Sequence, residues 1–142
     1  MQHECVEEIS NEFFAGNYDV AFFDKTIDGC NFEIFTIESL IDSHERGNKN
    51  HRSEMVSSFI RENRNDFKIL QKYPDPFYYR TDLRLTVDNP EDLVVCREVY
   101  TYFKDQAPLF NLREIINYLD TRNDLKKLIS PFCEKGYDLM YN

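Results

Sequence analysis

The chain has 142 residues, the length of one domain, and a 42% hydrophobic content that can build a real core. Its 17 basic and 26 acidic residues leave a net charge of −9, which argues against nucleic acid and against an anionic membrane surface as partners. Apolar runs such as Val20 to Phe23 fall far short of a membrane span and the start, Met1 to Ser10, is acidic, so a cytoplasmic protein without a leader is expected. Cys5, Cys30, Cys96 and Cys133 are too far apart in sequence for a CxxC clip. With His3, His44 and His51 scattered as well, reduced thiols are expected rather than a structural zinc site.

Cys5, Val6, Ile9 and Phe13 recur at helical spacing and predict an amphipathic helix from about Glu4 to Ala15, ended near Gly16-Asn17. Tyr18 to Phe23 is short, apolar and β-prone, as a strand buried on both faces should be. A turn at Asp28-Gly29 separates it from a second strand over Asn31 to Thr36, where Phe32 and Ile34 alternate with Glu33 and Phe35. Ile37, Leu40, Ile41 and His44 mark a helix that stops around Gly47. After the loop Gly47 to Asn50, Ser53-Glu54 opens a helix with Met55, Val56, Phe59 and Ile60 on one face and a polar far end over Arg61 to Asp66. A strand is predicted over Phe67 to Leu70, and the two prolines in Tyr73 to Tyr79 make that stretch an aromatic surface loop. Leu83, Leu85 and Val87 alternate with Arg84, Thr86 and Asp88 as in a strand, which Asn89 and Pro90 turn abruptly into a helix. Leu93, Cys96, Tyr100 and Phe103 are the expected buried stripe of that helix. Asn111 and Glu114 form a capping-box pattern before Leu112, Ile115, Ile116 and Leu119, and a shorter helix, Asn123 to Ile129, precedes an irregular aromatic tail. Strands alternating with helices, with no repeat or linker, predict an α/β layered sheet with flanking helices in a single domain over residues 1–142.

Asp88 sits at the carboxyl end of the predicted strand, the edge on which open α/β sheets bind ligands, and a hard cation such as magnesium would suit it. Its plainer role is to help cap the helix at Asn89-Pro90. Arg52 and Glu54 flank a helix start where an anionic substrate group could meet a guanidinium and backbone N–H groups; the alternative is a surface ion pair with a first-turn glutamate. Arg84 points either toward a ligand or toward Asp82 or Glu91 at the surface. His51 can serve as a general acid or base only if a neighbour tunes it, and a solvated loop histidine is the plainer reading. The Tyr73 to Tyr79 aromatics suit packing or an interface better than stacking on a base. Four glycines spread along the chain supply no glycine-rich phosphate loop.

Leu83-Arg84-Leu85-Thr86-Val87-Asp88-Asn89-Pro90-Glu91-Asp92-Leu93 resembles the signature near the C-terminal end of the cytidylyltransferase family. That family activates acidic sugars such as acylneuraminate and ketodeoxyoctulosonate, and the chain is most like its spore coat polysaccharide biosynthesis branch. Gly29-Cys30-Asn31-Phe32-Glu33-Ile34-Phe35 resembles the branch's G-x-x-x-E-x-F segment, and Ser53-Glu54-Met55-Val56 with Phe59-Ile60-Arg61 resembles its R-E-H-V helix. Asn111 to Leu119 and Lys135-Gly136-Tyr137 are similar to its closing helices and tail. The resemblance implies a mainly parallel sheet between helices, a dimer, and transfer of CMP from CTP to a sugar acid with release of pyrophosphate and magnesium held by acidic residues. It makes Asp88 a metal ligand and leaves Arg52, Glu54 and Arg84 on the sugar side of the pocket.

The departures are equally specific. The family's basic R-x-x-S-x-R-x-x-x-K segment, which grips the CTP phosphates, and a second metal-binding aspartate have no counterpart here, and Met55 stands where the branch often has histidine. The expectation is therefore a C-terminal portion of such a nucleotidyltransferase, without turnover of CTP by itself, as a homodimer or in association with the missing N-terminal half. The alternative is a non-catalytic module derived from that fold, which associates through its Phe- and Tyr-rich faces.

Overall fold

A computed structural model describes residues 3–52 and 55–141, with side chains over 5–52 and 55–133. The chain divides into two compact units that interleave along the sequence: Glu4–Asp24 with Phe32–Tyr73, and Lys25–Asn31 with Pro74–Asn142. Among the described residues, no helix is long and apolar enough to cross a membrane.

The first unit contains α1 (His3–Ala15), β1 (Val20–Phe23), β2 (Phe32–Phe35), α2 (Ile37–Arg46), α3 (Ser58–Glu62) and β3 (Ile69–Lys72). β1 is the centre of a three-stranded sheet of order β2-β1-β3 and is buried along its whole length, as its unbroken apolar run predicts. The period of two assigns its side chains. Ala21 and Phe23 pack with Ile9 and Phe13 of α1, while Val20 and Phe22 pack with Phe59 and Ile60 of α3. Each fully buried aromatic or branched side chain in these layers contributes roughly 1.5–3 kcal/mol. α2 is capped by Thr36, whose hydroxyl accepts from the Ser39 N–H at 3.1 Å.

Three features of this unit differ from the sequence expectation. The sheet is mixed rather than mainly parallel: β1 pairs parallel with β3, but antiparallel with β2, because the short link between β1 and β2 has no room for a crossover helix. The helix expected from Ser53-Glu54 starts only at Ser58; those two residues lie outside the described ones. Met55 and Val56 precede the helix in a turn that the Ser58 hydroxyl closes on the Met55 carbonyl at 2.8 Å. β3 lies two residues beyond the predicted strand, because a 3-10 turn at Arg64–Asp66 and a clamp on Lys68 delay the ladder. In that clamp the Lys68 N–H donates to the Asp19 carboxylate at 2.7 Å, and its carbonyl accepts from the Asp19 N–H at 2.9 Å.

The second unit is helical, with α4 (Pro90–Phe103), α5 (Leu112–Thr121) and α6 (Asn123–Tyr141) around Ile27, Leu83, Val95, Ile116, Leu119 and Ile129. The α5 cap is as predicted: the Asn111 side chain accepts from the Glu114 N–H at 3.3 Å. Residues 82–88 are not a strand. Among the described residues they make a single parallel bridge, Asp28 to Arg84, and no strand pairs along them; Leu83 is buried while Val87 is exposed. The buried face of α4 is Asp92, Val95, Val99 and Phe103, so the predicted stripe is rotated, and Leu93 and Tyr100 are exposed. α6 does not stop at Ile129 but continues through Pro131. The Lys127 carbonyl that Pro131 cannot serve accepts instead from the Ser130 hydroxyl at 3.1 Å.

Candidate functional site

A buried charge cluster of the helical unit surrounds Arg84, which is 3% exposed. Its Nε donates to Asp92 Oδ1 at 2.9 Å, Nη1 to the Phe132 carbonyl at 2.9 Å, and Nη2 to Asp88 Oδ2 at 2.7 Å and Asp92 Oδ2 at 3.2 Å, while Asp28 Oδ2 lies 3.0 Å from Nη1 as an ion pair. The guanidinium is thus engaged on all three of its nitrogens by groups of this chain. Asp92 is fully buried and is fixed at the start of α4, where its Oδ2 accepts the backbone N–H groups of Asp88 at 3.1 Å and Asn89 at 2.9 Å. Desolvation works to raise its pKa, but those bonds and the Arg84 contact hold it below the usual carboxylate range. Asp28 goes the other way. Burial first, then the neighbouring Asp88 and Asp92 charges, push its carboxyl up, despite the counter-pull of Arg84.

Asp28 reaches Arg84 through the turn at Gly29, whose φ of +88° favours glycine. A Cβ there would lie 2.6 Å from the Thr86 N and 2.7 Å from the Leu85 carbonyl, so the turn also needs glycine for its close approach to residues 85–86. Cys30, next to this turn, lines an apolar cavity of about 290 Å³ with Cys96, Tyr100 and Phe110. Burial pushes both thiols up, which keeps them protonated and weakens them as nucleophiles.

In the sheet unit, Arg52 lines a groove of about 430 Å³ with His44, His51, Ser43, Leu40 and Val56. Glu54 lies outside the described residues. His51 is fixed on both ring nitrogens: Nδ1 accepts from the Asn48 N–H at 3.0 Å, and Nε2 lies 2.8 Å from Glu62 Oε2. Neither nitrogen is left to act on a ligand, so His51 shapes the groove wall. Arg52 and His44 are the exposed polar groups that can meet an anion there.

Arg61 is a feature that the sequence reading passed over as the polar end of a helix. It donates to both oxygens of the buried Asp24, at 3.0 and 2.9 Å, and to Glu33 Oε1 at 2.7 Å, with its carbon 4.0 Å above the Phe22 ring. Ser57 donates to the same Glu33 oxygen at 2.8 Å, and Gln71 to Asp24 at 3.1 Å. An aspartate ending an otherwise wholly apolar strand was the available signal. The cluster closes the carboxyl end of β1.

The magnesium that the resemblance assigns to Asp88 does not fit the donors present. Asp88 accepts from Arg84, and no group of three or more His, Cys, Asp or Glu among the described residues is arranged to hold a metal ion. Asp28 and Asp92 face the same guanidinium, whose positive charge lies where an ion would have to sit.

No protein-family model matches the chain. An uncharacterized protein of Methanocaldococcus jannaschii, MJ1063, is 27% identical over 136 residues, covering 94% of this chain and 54% of its own length. A solved structure of a cytidylyltransferase from Leptospira borgpetersenii serovar Hardjo-bovis superposes with a TM-score of 0.67 at 18% identity, over 86% of this chain and 52% of that one. The chain has a cytidylyltransferase-like fold and spans about half the length of both relatives.

Proposed function

We propose that this chain is part of a CTP-dependent nucleotidyltransferase that activates an acidic sugar as its CMP derivative for glycan or polysaccharide synthesis. The observation that supports this is its cytidylyltransferase-like fold. The chain supplies the sugar side: Arg52 and His44 at the groove meet the sugar's carboxylate, while Leu40 and Val56 cover its apolar edge. Asp88 accepts from Arg84 and faces solvent, while the capping box of α4 is formed by Asn89 and Asp92. Pairing with a phosphate-gripping half or a second copy would complete the enzyme.

Calorimetric titration of the folded chain with N-acetylneuraminate or ketodeoxyoctulosonate, with and without CTP and magnesium, tests the proposal. Binding of a sugar acid, weakened about tenfold or more by Arg52→Ala, is the expected result, since one charged hydrogen bond is worth about 1.5–3 kcal/mol. Silence in every combination would sink it.

One observation favours the alternative, a non-catalytic self-associating module. β2 and β3 are edge strands to which no further strand pairs among the described residues, and Leu93, Val94 and Tyr100 are exposed on α4. A stable dimer in sedimentation experiments, with no heat from any sugar acid or nucleotide, would select it.

A further inference from the structure

We infer that Ser43 is a ligand-binding residue of the Arg52 groove and sets its specificity, its hydroxyl pairing with a hydroxyl or carbonyl on the body of the acid whose carboxylate meets Arg52 and His44. This rests on the reading of the groove as a site for a sugar acid. Ser43 is only 9% exposed and lines the groove, yet among the described residues its hydroxyl has no hydrogen-bond partner. Other buried serines do. Ser39, one turn earlier on α2, donates to the Asp19 carbonyl at 3.1 Å and to the Thr36 carbonyl at 2.9 Å, and Ser57 donates to Glu33 Oε1 at 2.8 Å. Thr26 Oγ1 also lacks a partner but is sealed from solvent, whereas Ser43 lines an open groove of about 430 Å³. Burial of a polar group without a partner is unfavourable, and a ligand in the groove removes that penalty.

The spacing on α2 builds this wall. Leu40, Ser43, His44 and Gly47 recur at three- and four-residue intervals and so share one face of the helix end, while His51, Arg52 and Val56 supply the rest of the lining. The two sides meet at Gly47, where a Cβ would come within 2.5 Å of the Ser43 carbonyl oxygen and 3.4 Å of His51 Cβ. Three kinds of surface therefore share one groove. Arg52 and His44, exposed and without partners among the described residues, suit an anion; the Ser43 hydroxyl suits one polar group; Leu40 and Val56 suit C–H surface. A ring acid that carries hydroxyls matches all three, whereas an acid with a bare hydrocarbon ring leaves the Ser43 hydroxyl covered and unpaired. A site built to hydrogen-bond its ligand discriminates most strongly against an analogue that lacks the bonding group.

Calorimetric titration of the whole chain with N-acetylneuraminate, ketodeoxyoctulosonate and cyclohexanecarboxylate, repeated on Ser43→Ala and Arg52→Ala, tests the inference, with thermal unfolding of each variant beside it. The natural chain should bind at least one sugar acid about tenfold or more tightly than cyclohexanecarboxylate. Ser43→Ala should weaken that sugar acid about tenfold and leave cyclohexanecarboxylate unchanged or tighter, so that the preference collapses. Its Tm should stay level or rise, because no protein partner is lost and alanine is the better helix former. Arg52→Ala should weaken both kinds of acid in parallel. Sugar-acid binding that Arg52→Ala weakens but Ser43→Ala leaves unchanged would overturn the inference and leave the sugar reading standing. Equal affinity of the natural chain for cyclohexanecarboxylate would do the same. No binding of either sugar acid would overturn both. A Ser43→Ala Tm lower by about 4 °C or more would show that the hydroxyl bonds within the protein, and the inference would fall.

Discussion

Arg61 and Arg84 each gather carboxylates from distant segments, one in the sheet unit and the other in the helical unit. Arg61 meets two carboxylates and a hydroxyl and lies flat on Phe22. Arg84 meets three carboxylates and a backbone carbonyl. The first cluster comes within one charge of balance and braces the end of a strand. The second carries two surplus negative charges, and Asp28, desolvated by its own burial and close to Asp88 and Asp92, bears the consequence as a raised pKa. One kind of ion pair therefore serves as a brace where it is nearly balanced, and as a net-acidic cluster around its own cation where it is not.

The largest test of this contrast is Asp92→Leu. It removes the best-bonded partner of a buried guanidinium and should cost about 3–5 kcal/mol in urea unfolding, since breaking a buried pair leaves charge uncompensated. A loss under about 1 kcal/mol would mean that Asp28 and Asp88 suffice. Arg61→Met should cost less, about 2–3 kcal/mol, because Asp24 keeps the Gln71 donor and methionine can still cover Phe22. Hydrogen exchange should then speed up in β1 and β3 first. Equal costs for the two variants would erase the distinction.

Asp28→Asn should be the mildest, within about 1 kcal/mol at neutral pH, because it removes like-charge repulsion along with an ion pair. Its signature lies in pH. A carboxyl with a raised folded pKa binds more protons in the folded than in the unfolded state, so it favours folding at low pH and less so as pH rises. The stability of the natural chain minus that of Asp28→Asn should fall as pH rises from about 4 through the folded pKa of Asp28, then level off. Denaturant titrations at several pH values check this; a difference that grows with pH would reverse the assignment.

Local chemistry was legible in the sequence. Asn89-Pro90 starts α4, Asn111 caps α5, and the unbroken apolar run Val20 to Phe23 is the central strand, because each rests on a few adjacent residues. What depends on distant partners was not. The alternation of residues 82–88 is real, yet a strand needs a neighbour, and among the described residues only Asp28 supplies a bridge. The α4 stripe was placed by hydrophobicity alone, whereas burial of Asp92 against Arg84 turns Val95 and Val99 inward and leaves Leu93 and Tyr100 outside. Pro131 reads as a stop in any local scheme, yet α6 continues through it, with the Ser130 hydroxyl on the Lys127 carbonyl. Of the candidate site, Arg52 was found with its groove, but the saturation of Arg84 could not be seen in spacing. The Arg61 cluster joins residues 24, 33, 57, 61 and 71, which no motif links.

The loop that carries Asp28 has a temporal consequence. It is made early in synthesis, yet its partners lie beyond the whole sheet segment Phe32–Tyr73, and the Phe132 carbonyl comes 48 residues later than Arg84. Arg61 waits less, its partners Asp24 and Glu33 standing 37 and 28 residues before it. Closing long loops costs entropy before any contact repays it, so the sheet can form its brace while the acidic loop is still unpaired. Until Arg84 emerges, Asp28 lacks its counter-ion, and the Phe132 carbonyl of α6 reaches the guanidinium later still. The arrival of α6 then completes both the hydrogen bonding of Arg84 and the apolar core of the helical unit, to which it brings Leu125 and Ile129.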